Sequence, residues 1–394
     1  MKPLQHLTIL DLSRVLACPF ASMILAELGA TVIKVEQPGA GDETRGFEPQ
    51  LARDSAYYFA CNRSKASITV NLRSDDGRKI IRELAQQADV FVENFPVGTL
   101  GRQGLDYAML SALNPKLVYV SCTGFGQSGP YAHKKGYDTV FQAMGGLMSL
   151  TGEKGGGPVK PGLPVADLTS GLWVAIAILA SLAGREKTGR GAHVDFSMLD
   201  GQVSLLTLAA ARYFALGEVP PRLGTEHPGR VPTASFRCKD GKYAHITASD
   251  QHWAPLCKAL GLEKMGSDPD FSSNAARVAR RMEVMAALTE ATGRLTRAEL
   301  IAKLDAVEVP IGPVNDVAEI LSDPHVRARK LVGSFDYPGV GEFKALALPY
   351  KFLGWDDPQV GSPPTLGEHT EQVLKEKLGY SAERIEALRK SRAI

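Results

Sequence analysis

One carboxylate, Asp167, lies between a Gly/Pro-rich stretch and an apolar helix-forming run in the segment Lys160–Gly171. Pro161, Gly162 and Pro164 fix a turn, and aspartate is a preferred N-cap. The free N–H groups and positive dipole end of the helix expected over Leu172–Ala183 favour its ionised form. A carboxylate held this way can attack an activated acyl group and form a mixed anhydride, a recognised covalent route. A plain helix cap is the other reading of Asp167, and the residues elsewhere in the chain decide between the two. Basic residues recur at loop positions: Arg14, Arg73, Arg102 and Lys135. Each alone fits a solvated surface charge, whereas together they can neutralise a polyphosphate through bidentate guanidinium forks. Glu226 and His227 form the one other pair near candidate chemistry, with a solvated loop as the alternative. The eight histidines are scattered without His-x-x-x-His or a Cys/His cluster, which gives a metal site little support.

Groups so far apart in sequence need a fold to converge them. Leu7–Leu12 reads as a buried strand, Pro19–Leu28 as a helix ended by Gly29, and Thr31–Glu36 as a second strand, which makes a βαβ unit. The alternation continues through strands Ala66–Asn71, Val90–Glu93 and Leu117–Thr123, with helices Asp75–Ala88 and Asp106–Leu113 between them. The pattern argues for a parallel α/β sheet of Rossmann-like type, on which ligands bind outside the carboxyl ends of the strands. Glu36 stands where a ribose-binding acid would. However, Ser13–Pro19 contains no Gly-x-Gly-x-x-Gly, so a hydride-transfer reading is weak. The stretch Gly184–Gly191 lacks the Gly-Lys-Ser/Thr ending of a phosphate loop and reads as a basic turn.

A chain of 394 residues exceeds what one core usually supports. The reading divides it into a large domain 1–216, a linker and active-site loop 217–232, a small α+β domain 233–330, and a C-terminal segment 331–394 that returns to the large domain. The large domain closes with a strand over His193–Ser197 and an apolar helix over Leu199–Leu216. The small domain holds strands Ala234–Cys238 and Tyr243–Thr247 and a basic patch from Arg277. The last segment holds a strand over Phe343–Leu348 and an amphipathic helix over Thr370–Lys390. Composition is 44% hydrophobic and 22% charged, with a net charge of only +2, so no overall field points to nucleic acid or an anionic membrane. Five widely spaced cysteines fit reduced thiols in a cytoplasmic protein. The N-terminus shows no targeting signal, and Leu172–Ala183 is shorter than the ~20 residues a bilayer span takes.

Several strings together closely resemble the class III coenzyme A transferases, the formyl-CoA transferase and CaiB/BaiF-like family. They are Leu10–Ala21, Gly29–Arg45, Glu93-Asn-Phe95, Gly124–Pro130, Gly136-Tyr-Asp138, Ala166-Asp-Leu168 and Arg185–Gly191, with Leu366-Gly-Glu-His-Thr370 and Leu378-Gly-Tyr380 near the end. The resemblance implies a homodimer of two interlocked ring-shaped chains, acting on acyl-CoA and a free carboxylic acid, with coenzyme A as substrate and no separate cofactor. It implies Asp167 as the catalytic nucleophile, which carries the acyl group as an anhydride and coenzyme A as an aspartyl thioester. It implies coenzyme A contacts from Leu16, Ala17, Val70, Asn71, Arg73, Asn94, Phe95, Arg102, Lys135, Gly136, Tyr137 and Asp138. Gln37 departs from an arginine often found there. Racemases of the superfamily resemble Gly-His-Asp where this chain has Tyr137, a poor base at neutral pH. Formyl-CoA transferases carry a glycine-rich loop where this chain has Leu223–Pro232. Around that loop, Arg222–Phe236 is most similar to succinyl-CoA:glutarate (dicarboxylate) CoA-transferases, which points to C4–C6 diacids, with Arg45, His227 and Arg230 as acceptor anchors. The open alternatives are a 2-methylacyl-CoA racemase-type isomerase and a coenzyme A-binding protein without turnover.

Overall fold

A computed structural model describes residues 1–394. Six strands, β1 (Thr8–Asp11), β2 (Thr31–Glu36), β3 (Ala66–Thr69), β4 (Val90–Glu93), β5 (Val118–Thr123) and β6 (His193–Ser197), form one wholly parallel sheet in the order β3-β2-β1-β4-β5-β6. This is the order of doubly wound dinucleotide folds, with the strand direction of travel switching between β1 and β4. Strands buried on both faces read as continuous apolar runs, and Val90–Glu93 and Val118–Thr123 are buried at every position.

One face is covered by α1 (Ala17–Glu27) and α6 (Val165–Thr188), which bring Cys18, Ala21, Leu25, Val174 and Ile178 onto Ile9, Val92 and Val120. The other face takes α3 (Asp75–Gln87), α4 (Tyr107–Leu113) and the C-terminal helices α12 (Thr370–Leu378) and α13 (Ala382–Lys390). Four further helices are α2 (Ala56–Asn62), α5 (Asp138–Met144), α7 (Met198–Ser204) and α8 (Thr207–Leu216). A hairpin, β10 (Val332–Tyr337) with β11 (Gly341–Leu346), packs Phe335 and Tyr337 on Phe59 of α2.

The chain forms two compact units, one of Met1–Leu147, Lys160–Ala215 and His325–Ile394, the other of Met148–Val159 with Leu216–Pro324. The reading from sequence runs residues 148–159 on with the first 216. They belong to the second unit, where the Arg222 guanidinium donates to the Gly156 carbonyl at 2.7 Å. That unit has an antiparallel sheet in the order β9-β8-β7, from β7 (Thr233–Arg237), β8 (Tyr243–Thr247) and β9 (Ile311–Pro313). Helices α9 (Asp250–Ala259), α10 (Arg281–Thr292) and α11 (Arg297–Asp305) pack on it around Trp253, Leu288 and Leu300.

Four further expectations are corrected. The expected helix Leu199–Leu216 is two helices, α7 and α8. The expected helix Thr370–Lys390 breaks at Gly379, which adopts φ 66° as a left-handed C-cap, before Ser381 caps α13. The basic patch from Arg277 is not one surface cluster: Arg277 is fully buried and donates to the carbonyls of Val231 and Phe271 and to Asp250, whereas Arg280 is exposed and pairs with Asp270. Finally, α6 runs 24 residues, long and apolar enough to cross a membrane by length and composition, rather than the shorter span read from sequence. Here its inner face, Val174, Ile178 and Leu182, belongs to the core of the first unit.

Candidate active site

Asp167 is the third residue of α6, not its N-cap. Pro164 occupies the cap position and has no side-chain oxygen to offer. The missing acceptor comes from another helix: Asp138, at the start of α5, takes the backbone N–H of Asp167 on Oδ1 at 3.1 Å. One turn on, Gly171 faces the start of α1 so closely that a Cβ there would lie 2.6 Å from the Ala17 carbonyl oxygen. Residues four apart share a helix face, so Asp167 stands on the side of α6 that abuts α1.

The helix dipole does not hold Asp167 ionised, contrary to expectation. Burial, reinforced by the neighbouring Asp138 charge, pushes its carboxyl up to about 7. A carboxylate of this basicity is ionised at mildly alkaline pH yet retains nucleophilicity that an ordinary aspartate lacks. No cation pairs with it to quench that reactivity, Asp138 being the one charge that acts on it.

Outside the carboxyl ends of β1 to β4, a cavity of about 460 Å³ gathers Val70, Asn71, Arg73 and Phe95 with Arg14 and Arg392. The position is the one that open α/β sheets use for ligands. The Arg14 guanidinium carbon sits 4.8 Å from the Phe95 ring centre. Asn71 is tied to the chain's end, its N–H to the Ala393 carbonyl at 2.8 Å and its amide to the Arg392 carbonyl at 3.1 Å. Sequence reasoning missed Arg392, which this turn delivers from the far end of the chain; no local signal marks it.

Leu16 and Ala17 begin α1, which no side chain caps. Before them Val15 adopts φ 70°, a conformation that a β-branched residue holds only under outside restraint. The restraint is visible. Asn94 brackets Arg14, accepting its N–H at 2.9 Å and donating to its carbonyl at 2.7 Å, and Asp42 accepts the Val15 N–H at 3.3 Å. Asn94 therefore serves this loop directly. Arg102, bonded to Thr99, and Lys135 are exposed and lie outside the cavity lining. Tyr137 is 79% exposed. At Gly136 a Cβ would come 2.5 Å from the Phe141 ring, so only glycine lets the chain pass into α5 there.

Arg45 is corrected outright. It is buried and commits its guanidinium to protein, with Glu36 held bidentately at 2.8 and 2.7 Å, Asp54 at 2.6 Å and the Tyr58 hydroxyl at 2.6 Å. Neither Arg45 as an acceptor anchor nor Glu36 as a ribose acid keeps a free group for that role. His227 and Arg230 lie exposed on the second unit, where the His227 Nδ1 accepts the Gly229 N–H at 3.1 Å. Glu226 is paired with Arg281 at 2.8 Å. Arg185 of the loop-like basic turn is the last turn of α6 and pairs with Asp89.

The comparisons with known proteins agree on one family. The model of CoA-transferase family III matches residues 4–370. The succinyl-CoA:glutarate CoA-transferase of Mus musculus is 39% identical over 389 residues, covering 98% of this chain and 89% of the relative. The succinate–glutarate CoA-transferase of Agrobacterium fabrum is 38% identical, covering 95% of each. Among solved structures, a CaiB/BaiF family protein from Brucella suis superposes with a TM-score of 0.86 at 40% identity, over 95% of this chain and 99% of that one.

Proposed function

The chain belongs to CoA-transferase family III, and from that premise we propose that it moves coenzyme A from succinyl-CoA to a C4–C6 dicarboxylate through covalent intermediates on Asp167. The single observation that carries the mechanism is a half-buried carboxyl, raised to about 7 and free of any cation, on the helix face that abuts the start of α1. Asp167 attacks the thioester carbonyl, the C–S bond breaks, and coenzyme A leaves as thiolate with the acyl group held as an aspartyl anhydride. The thiolate then attacks the Asp167 carbonyl and expels the donor carboxylate, leaving an aspartyl-CoA thioester. An incoming carboxylate reverses both steps and restores Asp167. The acyl activation passes from bond to bond, so the cycle needs neither ATP nor a metal, and coenzyme A is a substrate.

The cavity at the strand ends supports a site for the nucleotide part of coenzyme A, with Arg14, Arg73 and Arg392 meeting its phosphates. The names of the relatives support the diacid, and exposed His227 and Arg230 are its proposed anchors. An assay of succinyl-CoA against mono- and dicarboxylates, read by mass spectrometry, tests the whole reading. Glutarate or a related diacid should exceed the monocarboxylate of equal length in kcat/KM, and Arg230→Ala should shrink that preference. Arg73→Ala should raise the succinyl-CoA KM about tenfold, the worth of a hydrogen bond to a charged group. A strong preference for formate or oxalate over any longer diacid would overturn the C4–C6 diacid assignment alone.

A homodimer forms part of the proposal. Leu172, Trp173, Ile176 and Leu179 make an exposed apolar face on α6, and Leu208 and Phe214 of α8 are each more than 80% exposed. Apolar patches on this scale mark association sites, and a second copy of the chain is the proposed cover. Sedimentation should give twice the 42.3 kDa chain mass; a monomer at micromolar concentration would contradict it. The five cysteines stand as buried thiols, which supports a cytoplasmic setting.

A further inference from the structure

Helix α5 carries two polar side chains one turn apart, Asp138 and Gln142, and both turn toward the start of α6. Gln142 is fully buried. Its amide nitrogen donates to Asp138 Oδ2 at 2.5 Å and to the Leu163 carbonyl at 3.4 Å, while its Oε1 has no partner. A buried acceptor without a partner carries a desolvation cost that an apolar residue of the same volume would avoid. The amide is therefore an expensive way to fill this space, and what it gains is a fixed Asp138 carboxylate. Asp138 in turn takes the Asp167 N–H on its other oxygen. An acidic residue in the first turn of a helix can bend back to satisfy the helix's own N–H groups. With that N–H satisfied from α5, the Asp167 carboxylate is released from capping.

We propose that Gln142 is a positioning residue for the transfer reaction: it locks the Asp138 carboxylate where it caps α6 at Asp167 and keeps one negative charge beside the nucleophile. This rests on Asp167 being the nucleophile. Other elements packed on α6 bring Cys18 and Glu27 (α1), Asp200 (α7), Tyr119 and Cys122 (β5), and His193 and Asp195 (β6), and Asp138 is the charged group that adds to burial in raising the Asp167 carboxyl. Gln142 thus reaches the chemistry through one carboxylate and touches no reacting atom.

Two variants test it. Gln142→Met keeps the volume and removes the unpaired acceptor, so its melting temperature should stay within about 3 °C of the parent. Its kcat should fall by about tenfold or more at an acyl-CoA KM within about twofold. The acid limb of kcat/KM should move by at least about half a pH unit. Asp138→Asn keeps an acceptor for the Asp167 N–H but removes the charge, and should carry the same limb to lower pH by about one unit. A lower kcat in Gln142→Met with an unmoved limb would mark a merely structural role and overturn the proposal, as would unchanged kinetics. Should Gln142→Met fail to fold, an unmoved limb in Asp138→Asn overturns it instead. Asp167→Asn separates the two readings: residual turnover there removes the nucleophile and this proposal together, whereas an inactive Asp167→Asn beside an unaffected Gln142→Met removes only this one.

Discussion

Asp167→Asn should lose CoA transfer by at least about 10⁴-fold, because in the proposed cycle the group removed forms every covalent intermediate. It should also melt at a higher temperature than the parent at pH 8. The sign follows from the carboxyl's position at about 7 in the folded chain against an ordinary value of 3.8. The folded state binds this proton more tightly than the unfolded chain does. The charged form's penalty is therefore absent below about pH 4, grows between 4 and 7, and is complete above 7. Discounted for partial exposure, the neutral amide should recover about 1–2 kcal/mol at pH 8 and almost nothing at pH 4. In the parent, kcat/KM should fall about tenfold per pH unit below 7 as the proposed nucleophile is protonated. Equal melting temperatures for parent and variant at pH 8, with transfer lost, would mean that Asp167 is not held at a cost in stability.

The second large effect is structural. Arg45→Met should destabilise the protein by about 3–5 kcal/mol, since it leaves Glu36 and Asp54 buried without their shared partner. Burial alone would favour the neutral form of Glu36, yet the Arg45 bonds and the Lys34 charge hold its carboxyl below the usual range. That balance fails once the guanidinium goes. Adding Glu36→Gln to Arg45→Met should return part of the loss, because one of the two stranded charges is then gone. Urea unfolding measures both. A stable Arg45→Met protein with an altered acceptor preference would restore the role that the sequence suggests for Arg45 and contradict the buried network.

These outcomes show what the residues alone could disclose. Strands Thr31–Glu36, Val90–Glu93 and Tyr243–Thr247 were readable to the residue because β-branched runs are bounded by turn formers. Asp167 was readable as a candidate nucleophile but not in its setting. Its capping partner lies 29 residues earlier on α5, and no local pattern around Pro164 reports that. The break at Gly379 was legible in principle, since glycine followed by Ser381 is a stop and a start. Burial of charge was not legible: Arg45 and Arg277 look like ligand or surface cations until the carboxylates and carbonyls around them are placed. Arg392 joins the cavity only through the tertiary bonds between Asn71 and the last residues. Local periodicity reveals elements, whereas the charge state and partners of a side chain depend on contacts between distant segments.

The most direct test of covalent transfer through Asp167 is chemical trapping during turnover. The parent protein, incubated with succinyl-CoA and hydroxylamine and then digested, should yield a hydroxamate on Asp167 in the peptide spanning residues 160–171 and on no other residue, with none formed when succinyl-CoA is omitted. A hydroxamate on a glutamate, or an acylated cysteine, with Asp167 unmodified would contradict the account.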